Sequence, residues 1–449
     1  MPRSVLFTLA ALCAFTIPLF AQQKNVLVIV ADDLGLGDAN FYKVSEDPPR
    51  TPNLDAMAEQ GVSFTNAWSY PFCSPTRAAI LTGRYGYRTG IGHLISPHNN
   101  EPALPLSEIT LPEMVKQGSH GLYRNAAFGK WHVGNLSNGG DLAPNLAGFA
   151  NYKGILAGSA DQYFDADAVE NGVVQPQEGY LTTTTVQDVQ QWVGNTDSRP
   201  WFAYLAFHAA HTPLHAPPSH LHSNPNLVAG TIPDASSPDK RAYFKAMVEA
   251  MDREIGNLFE ALENMNELAH TTIVFIGDNG ALGQIIAPPY FKQQAKGTVY
   301  EGGVNVPLIV VDPDVVMPGR VSHSLVHAVD IFATVAEAAD IDVAATFPHL
   351  VLDSRSLMPF VDFKTAPTPR EELYTEHFSP NGGEGPFTYY RKAARDRRYK
   401  LIQLDTGESM FDLLADPYEQ IDLLLGELNV EQQRAYVKLS EVCEENGLQ

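Results

Sequence analysis

Apolar residues fall into two rhythms along the chain. One is a set of short apolar runs that close on polar residues. These are "NVLVIVADD" (25–33), "NAAFGKWHVG" (125–134), "WFAYLAFHAAH" (201–211), "TTIVFIGDNG" (271–280) and "VPLIVVDP" (306–313). Runs of this kind suit strands covered on both faces. "VSFTNAW" (62–68) reads as a further strand. The second rhythm is a three- and four-residue spacing in 51–61, 241–264 and 327–340, which predicts helices. The first of these has Thr51 ahead of Pro52 and stops at Gly61, the usual start and stop residues. Strands alternating with helices predict an α/β fold with a large, mainly parallel sheet. Pro and Gly concentrate at 212–234 and 379–386, which read as long loops. Beyond about residue 370 the pattern changes to short strands, turn signals and a closing helix from about 429. That stretch reads as a smaller C-terminal α+β subdomain with a short antiparallel sheet. The expected division is 1–21, 22–370 and 371–449.

Residues 1–21 read as a secretory signal peptide: basic Arg3, an apolar run from Val5 to Phe20, and a small residue at Ala21. An uncleaved anchor is the alternative, but the run is short for a spanning helix. The expected location is periplasmic or secreted, in a bacterial style, with no membrane contact after cleavage. The formal charge of −22 repels nucleic acid and anionic membranes. A polyanionic substrate would need a local basic pocket to overcome that field. Without the leader only Cys73 and Cys443 remain of the three cysteines. An oxidising compartment would permit a disulfide between them, although the surroundings of Cys73 argue against it.

Four strands end in chemically capable residues: Asp32-Asp33, Lys130-Trp131-His132, His208 to His211, and Asp278-Asn279. Ligands of open α/β sheets bind beyond the carboxyl ends of strands, so four such ends suggest one shared site. Adjacent carboxylates repel unless a cation lies between them. Asp32, Asp33, Asp278 and Asn279 offer only oxygen, which suits Ca²⁺ better than Zn²⁺. A plain strand cap and a plain turn are the simpler readings of each pair alone. Between them "PFCSPTRAAILTGRYGYRTG" (71–90) starts a helix. Cys73 or Ser74 is the expected N-cap, with Pro75 in the first turn and Arg77 one turn on. Cys73 thus stands at the positive end of a helix, beside an arginine, in a setting for an anion. An inert buried thiol is the plainer alternative.

At this point the residues resemble a family. Cys73-Ser74-Pro75-Thr76-Arg77, followed by "LTGRY", is similar to the sulfatase signature C-x-P-x-R. Gly129-Lys130-Trp131-His132-Val133-Gly134 matches a second signature, G-K-W-H-x-G. "ADDLGLGD" (31–38) and "GDNG" (277–280) resemble the family's metal motifs, and "KGTVYEGGVNVP" (296–307) its lysine run. The likeness spans nearly the whole mature chain. It implies an alkaline-phosphatase-like α/β fold and a Cys73 oxidised to formylglycine by a dedicated maturation enzyme. The hydrated aldehyde would attack sulfur, form a sulfated enzyme, and expel sulfate with its second hydroxyl. The resemblance further implies one Ca²⁺ held by Asp32, Asp33, Asp278, Asn279 and residue 73. Arg77, Lys130 and Lys296 would stabilise the sulfate charge. His132 would take a proton from the diol, and His211, with Lys296, would protonate the leaving alcohol. His211-Thr212-Pro213-Leu214 fits the family's histidine motif, and His208 comes one turn too early. A zinc site in this histidine-rich stretch is the alternative from composition. His93, His98 and His215 are candidates for touching substrate. Two departures stand out. Gln293-Gln294-Ala295 precede Lys296 where the family often has Arg-Gly, and Asn305 replaces an arginine after the Glu-Gly-Gly run.

The expected activity is hydrolysis of a sulfate monoester of a carbohydrate or small alcohol, and of aryl sulfates in an assay. Loops at 93–110, 135–180 and 212–238 would line the pocket. A phosphonate or phosphodiester hydrolase with the same modified cysteine is the nearest alternative. A catalytically inactive protein that binds sulfated glycan is the alternative from another class.

Overall fold

The computed structural model describes residues 23–195, 197–365 and 370–448. The leader expected at 1–21 lies outside the described residues. Ten strands form one mixed sheet: β1 (Asn25–Ala31), β2 (Val62–Trp68), β3 (Arg124–Lys130), β4 (Asn151–Ile155), β5 (Ala168–Glu170), β6 (Val173–Gln175), β7 (Trp201–Ala206), β8 (Thr271–Gly277), β9 (Leu308–Val311) and β10 (Arg320–His327). Their order is β10-β2-β9-β8-β1-β7-β3-β4-β5-β6. The central strands β8, β1, β7 and β3 run parallel to one another, in register Ala31 with Gly277, Val30 with Ala206 and Gly129 with Ala206. Their carboxyl ends therefore open on one edge.

The sequence of β1 shows why both faces must be covered. Val26, Val28 and Val30 point to one core, Leu27, Ile29 and Ala31 to the other, and all six are fully buried. Period-two alternation of apolar residues on both faces forces a helix layer on each. The helices are α1 (Pro52–Gln60), α2 (Cys73–Thr82), α3 (Leu111–Gly118), α4 (Leu181–Val193), α5 (Lys240–Asn264), α6 (Asp330–Ala338) and α7 (Val430–Glu445). Leu81, Met114 and Phe332 bring α2, α3 and α6 onto the first face. Leu54, Val189 and Leu258 bring α1, α4 and α5 onto the second.

Three expectations change. The segment 135–180 is not all loop, because β4, β5 and β6 extend the sheet, with β5 and β6 antiparallel. Their short, partly exposed residues hide the period-two signal. The helix expected from 327 begins at Asp330, because His327 still belongs to β10 and the Asp330 carboxylate accepts from its backbone N–H. α2 is capped by neither Cys73 nor Ser74. Phe72 occupies the cap position, and the Ser74 hydroxyl instead donates to the His132 carbonyl at 2.7 Å.

A second, antiparallel sheet follows: β11 (Leu373–Ser379), β12 (Tyr389–Arg395), β13 (Tyr399–Leu404) and β14 (Gly407–Asp412). One face packs under α7 through Leu401, Met410 and Leu439. The other packs on the main body through Ile402, Phe411, Trp68 and Val304. Cys443 is buried in α7, Cys73 is buried at the sheet edge, and both are free thiols, so the possible disulfide is not formed.

On β11, Glu376 is fully buried yet accepts from the Tyr87 N–H and the Tyr374 and Tyr390 hydroxyls. Burial outweighs these donors and pushes its carboxyl up to about 7. The folded state therefore holds a proton that the unfolded chain releases near pH 4.5. Stability from this group is full below that pH and falls as pH rises towards 7. The shift corresponds to about 3 kcal/mol. In thermal melts from pH 4.5 to 8, Glu376→Gln is expected to gain on the wild type as pH rises. Parallel melting curves for the two proteins would refute this assignment.

Candidate active site

Each parallel strand delivers its chemistry at the turn that follows it. β1 ends in Asp32-Asp33, β3 in Lys130 followed by His132, and β8 in Asp278-Asn279. β7 leads to His208 and His211. The turns are fastened to one another by main-chain bonds. Asp278 N donates to Ala31 O at 2.9 Å, and Asp32 N to Ala209 O at 3.0 Å. Asp33 and His132 have φ of 57° and 59°, the left-handed region that costs a non-glycine residue energy. Such strain persists only where surrounding contacts impose it, and here both residues face the site.

The strand ends place Asp32, Asp33, Asp278 and Cys73 with one ligand atom each inside a 4.8 Å cluster, all buried. Three cations answer the three carboxylates. Arg77 donates to Asp278 Oδ2 through Nε at 3.1 Å and Nη2 at 2.8 Å, a two-pronged contact. Lys130 Nζ meets Asp32 Oδ2 at 2.5 Å, and Lys296 Nζ pairs with Asp33 Oδ1. Cys73 Sγ lies 3.4 Å from both Asp32 Oδ1 and Lys296 Nζ. Asn279 donates to Asp33 Oδ1 at 2.7 Å.

These groups titrate abnormally because water is excluded. Burial, then the Asp278 charge, pushes Asp32 up to about 7. Burial also opposes ionisation of Asp33, but Lys296, His211 and Lys130 overcome it and pull Asp33 down to about 2. Burial and Asp278 push the Cys73 thiol far up, so it stays protonated. His132 is held well below the usual imidazole range by burial and by Lys130, so it is a neutral base. Burial brings His211 down to about 4, with Asp33 opposing.

The donor set fits a hard cation. Asp33 Oδ2 and Asn279 Oδ1 are buried oxygens with no hydrogen-bond partner among the described residues. A buried acceptor left bare is costly, and a bound ion removes that cost. The ligand atoms that Asp32, Asp33, Asp278 and Cys73 offer are carboxylate oxygens and one sulfur.

The sequence-derived residues therefore come together in part. Cys73, Arg77, Lys130, His132, Lys296, Asp32, Asp33, Asp278 and Asn279 form one constellation. His211 joins it with Nε2 at 3.9 Å from Asp33 Oδ2, and its Nδ1 is engaged by Thr212 O at 2.9 Å. His93 stands at the rim, its ring 5.3 Å from that of Phe72, the residue before Cys73. His98 lines a neighbouring cleft. His215 is not free to touch substrate. It is buried, with Nδ1 on Pro213 O and Nε2 on the Tyr180 hydroxyl, because Tyr163 and Tyr180 enclose its ring. The histidines of 208–222 make no zinc cluster among the described residues.

Some supports escaped the sequence reading. His208 is buried within the field of Lys130 and Arg77, and the Tyr163 hydroxyl donates to both His208 O and His211 O. Gly158 lies against the His132 ring, where an added Cβ would sit 2.3 Å from Cε1. The Lys296 loop is anchored by buried Glu301. Its carboxylate takes Trp68 Nε1 (3.0 Å), Lys400 Nζ (3.0 Å), Arg395 Nη1 (3.2 Å) and Asn305 Nδ2 (3.0 Å). Asn305, unexpected in the sequence, thus works beside two cations that the C-terminal sheet supplies. A lysine on a distant strand leaves no local motif.

Comparison with known proteins agrees with this geometry. A family model described as Sulfatase matches residues 24–341, and one described as N-sulphoglucosamine sulphohydrolase, C-terminal, matches 291–442. The chain is 28% identical to arylsulfatase J of Mus musculus, covering 90% of this chain and 73% of that protein. It is 29% identical to arylsulfatase A of Homo sapiens, covering 93% and 81%. The crystal structure of Ps i-CgsB in complex with k-i-k-neocarrahexaose superposes with a TM-score of 0.77 at 27% identity, over 94% of this chain and 92% of that one.

The Arg77–Asp278 pair has no exposed side-chain surface on either partner. Arg77→Ala leaves a buried carboxylate unpaired and is expected to cost about 3–5 kcal/mol in urea denaturation. Arg398→Ala, which breaks the partly exposed pair with Asp412, should leave the midpoint almost unmoved. Equal midpoint shifts would contradict this ranking.

Proposed function

The chain belongs to the sulfatase family and is a sulfuric ester hydrolase, and from that premise we propose how its own residues divide the work. The observation that carries the reading is the charge balance at the strand ends: three buried carboxylates matched by three cations. Asp32, Asp33, Asp278, Asn279 and residue 73 would hold one Ca²⁺, which supplies positive charge beside the sulfate oxygens. The bare oxygens of Asp33 and Asn279 support this. With three cations facing at most three negative charges, a divalent ion leaves the site net positive, as suits an anionic substrate.

The unmodified Cys73 thiol is a poor nucleophile, being buried and protonated. Conversion to formylglycine by a maturation enzyme supplies a hydrated aldehyde, with one hydroxyl to attack sulfur and a second to release sulfate. Cys73 Sγ marks where those oxygens lie, within reach of Lys296 and beside Asp32. His132, neutral and with Nδ1 free of partners, is the base that takes the diol proton. His211 is the acid for the leaving alcohol. Its low proton affinity belongs to the substrate-free site, and a bound sulfate anion raises it. Arg77, Lys130 and Lys296 hold the charge that builds on the sulfuryl oxygens.

The substrate is a sulfate monoester of a saccharide or small alcohol, in keeping with a relative whose structure holds a neocarrahexaose. The signal-peptide-like sequence of 1–21 supports export to the periplasm or beyond. Among the described residues no helix is long and apolar enough to cross a membrane.

Four measurements test this reading. The intact mass of the peptide around residue 73 should show loss of the thiol and gain of an aldehyde or its hydrate. Cys73→Ala should lower kcat on an aryl sulfate by at least about 10³-fold, while an aryl phosphonate diester should be the poorer substrate of the wild type. Preference for the phosphonate would transfer the chain to the other chemistry, and an unmodified Cys73 with glycan binding but no turnover would make it a receptor. Chelation with EGTA should lower the melting temperature, and Ca²⁺ should restore it, since a ligand of the folded state alone stabilises it.

A further inference from the structure

The surroundings of the site restrict the rest of the substrate, given the sulfatase reading above. Three long segments leave the site: 93–110 after α2, 135–180 after β3 and 212–238 after β7. Together they hold nine Asp or Glu and a single lysine or arginine, Lys153. Lys153 is paired with Asp188 at 2.6 Å. At the rim near His93, Arg391 is likewise paired, with Asp405 at 3.1 Å.

A cleft of about 590 Å³ lies beside the site. One wall is the segment from Ile155 to Ser159. The same segment backs His132, through His132 N to Leu156 O at 3.1 Å and the Gly158 contact with the ring. His98 also lines it, in a segment tied to α2 by Ile95 N donating to Ser74 Oγ at 3.1 Å. Asp141, Asp161, Asp165 and Asp167 are exposed in this cleft, none is ion-paired to a described residue, and no lysine or arginine lines it. Apolar surface is also present, from Ile155, Val169 and Val174.

We propose that the group next to the scissile sulfate is an uncharged saccharide unit, and that the enzyme discriminates against a second sulfate on the neighbouring unit. Carboxylates accept hydrogen bonds from sugar hydroxyls, and apolar side chains cover the C–H face of a ring. A second sulfate in the same place meets four like charges and no lysine or arginine. At separations near 7 Å their summed repulsion in water lowers affinity by about tenfold or more. The effect is screened by salt, because the groups are exposed.

The test compares a neutral disaccharide carrying one sulfate with the same disaccharide sulfated on both units, at low ionic strength. The expected result is kcat/KM at least about tenfold higher for the monosulfate. Raising salt to roughly 0.5 M should narrow the gap. Asp141→Asn, Asp161→Asn and Asp167→Asn combined should narrow it too, leaving turnover of a simple aryl sulfate unchanged. A disulfate hydrolysed as fast as the monosulfate at low salt would overturn the proposal. So would a gap that responds neither to salt nor to the triple variant. Turnover of the aryl sulfate separates these outcomes from failure of the sulfatase reading itself. The salt series on the wild type stands even if the variant does not fold.

Discussion

Three carboxylates at adjoining strand ends, sealed from water, are the constraint around which the rest is arranged. Alone they would hold protons or push the strands apart. Arg77 reaches Asp278 from α2, Lys130 reaches Asp32 from the last residue of β3, and Lys296 reaches Asp33 from the loop after β8. The pairs do not make the site cheap to build, since buried ion pairs return little net stability. They make it exact in shape, because each cation comes from a different element and each element must be in place.

Much of this was legible in the chain. Unbroken apolar runs ending in Asp, Lys and His announced both the parallel strands and the edge where chemistry gathers. Short signatures carried Cys73, Arg77, Lys130 and His132. The illegible parts share a cause: they depend on partners far away along the chain. The edge strands β4 to β6 are too short and exposed for a periodic signal. His215 looked like its reactive neighbours until Tyr163 and Tyr180 closed over it. Nothing near Lys400 says that its charge ends on Glu301.

That last contact joins the two sheets. Glu301 follows Lys296 by five residues, and its partners Arg395 and Lys400 stand on β12 and β13. Glu419 completes the knot by accepting from the Glu301 N–H and pairing with Lys400. The knot is buried throughout. The small sheet is therefore more than an appendage, because it holds the loop that carries a cation of the site.

Burial of residue 73 also imposes a chronology. Its side chain has no accessible surface, and the Lys296 loop that covers it is locked by strands from the last quarter of the chain. A second protein could work on the Cys73 thiol only before those strands arrive. Access to residue 73 is thus tied to docking of the small sheet, although the two lie far apart in sequence.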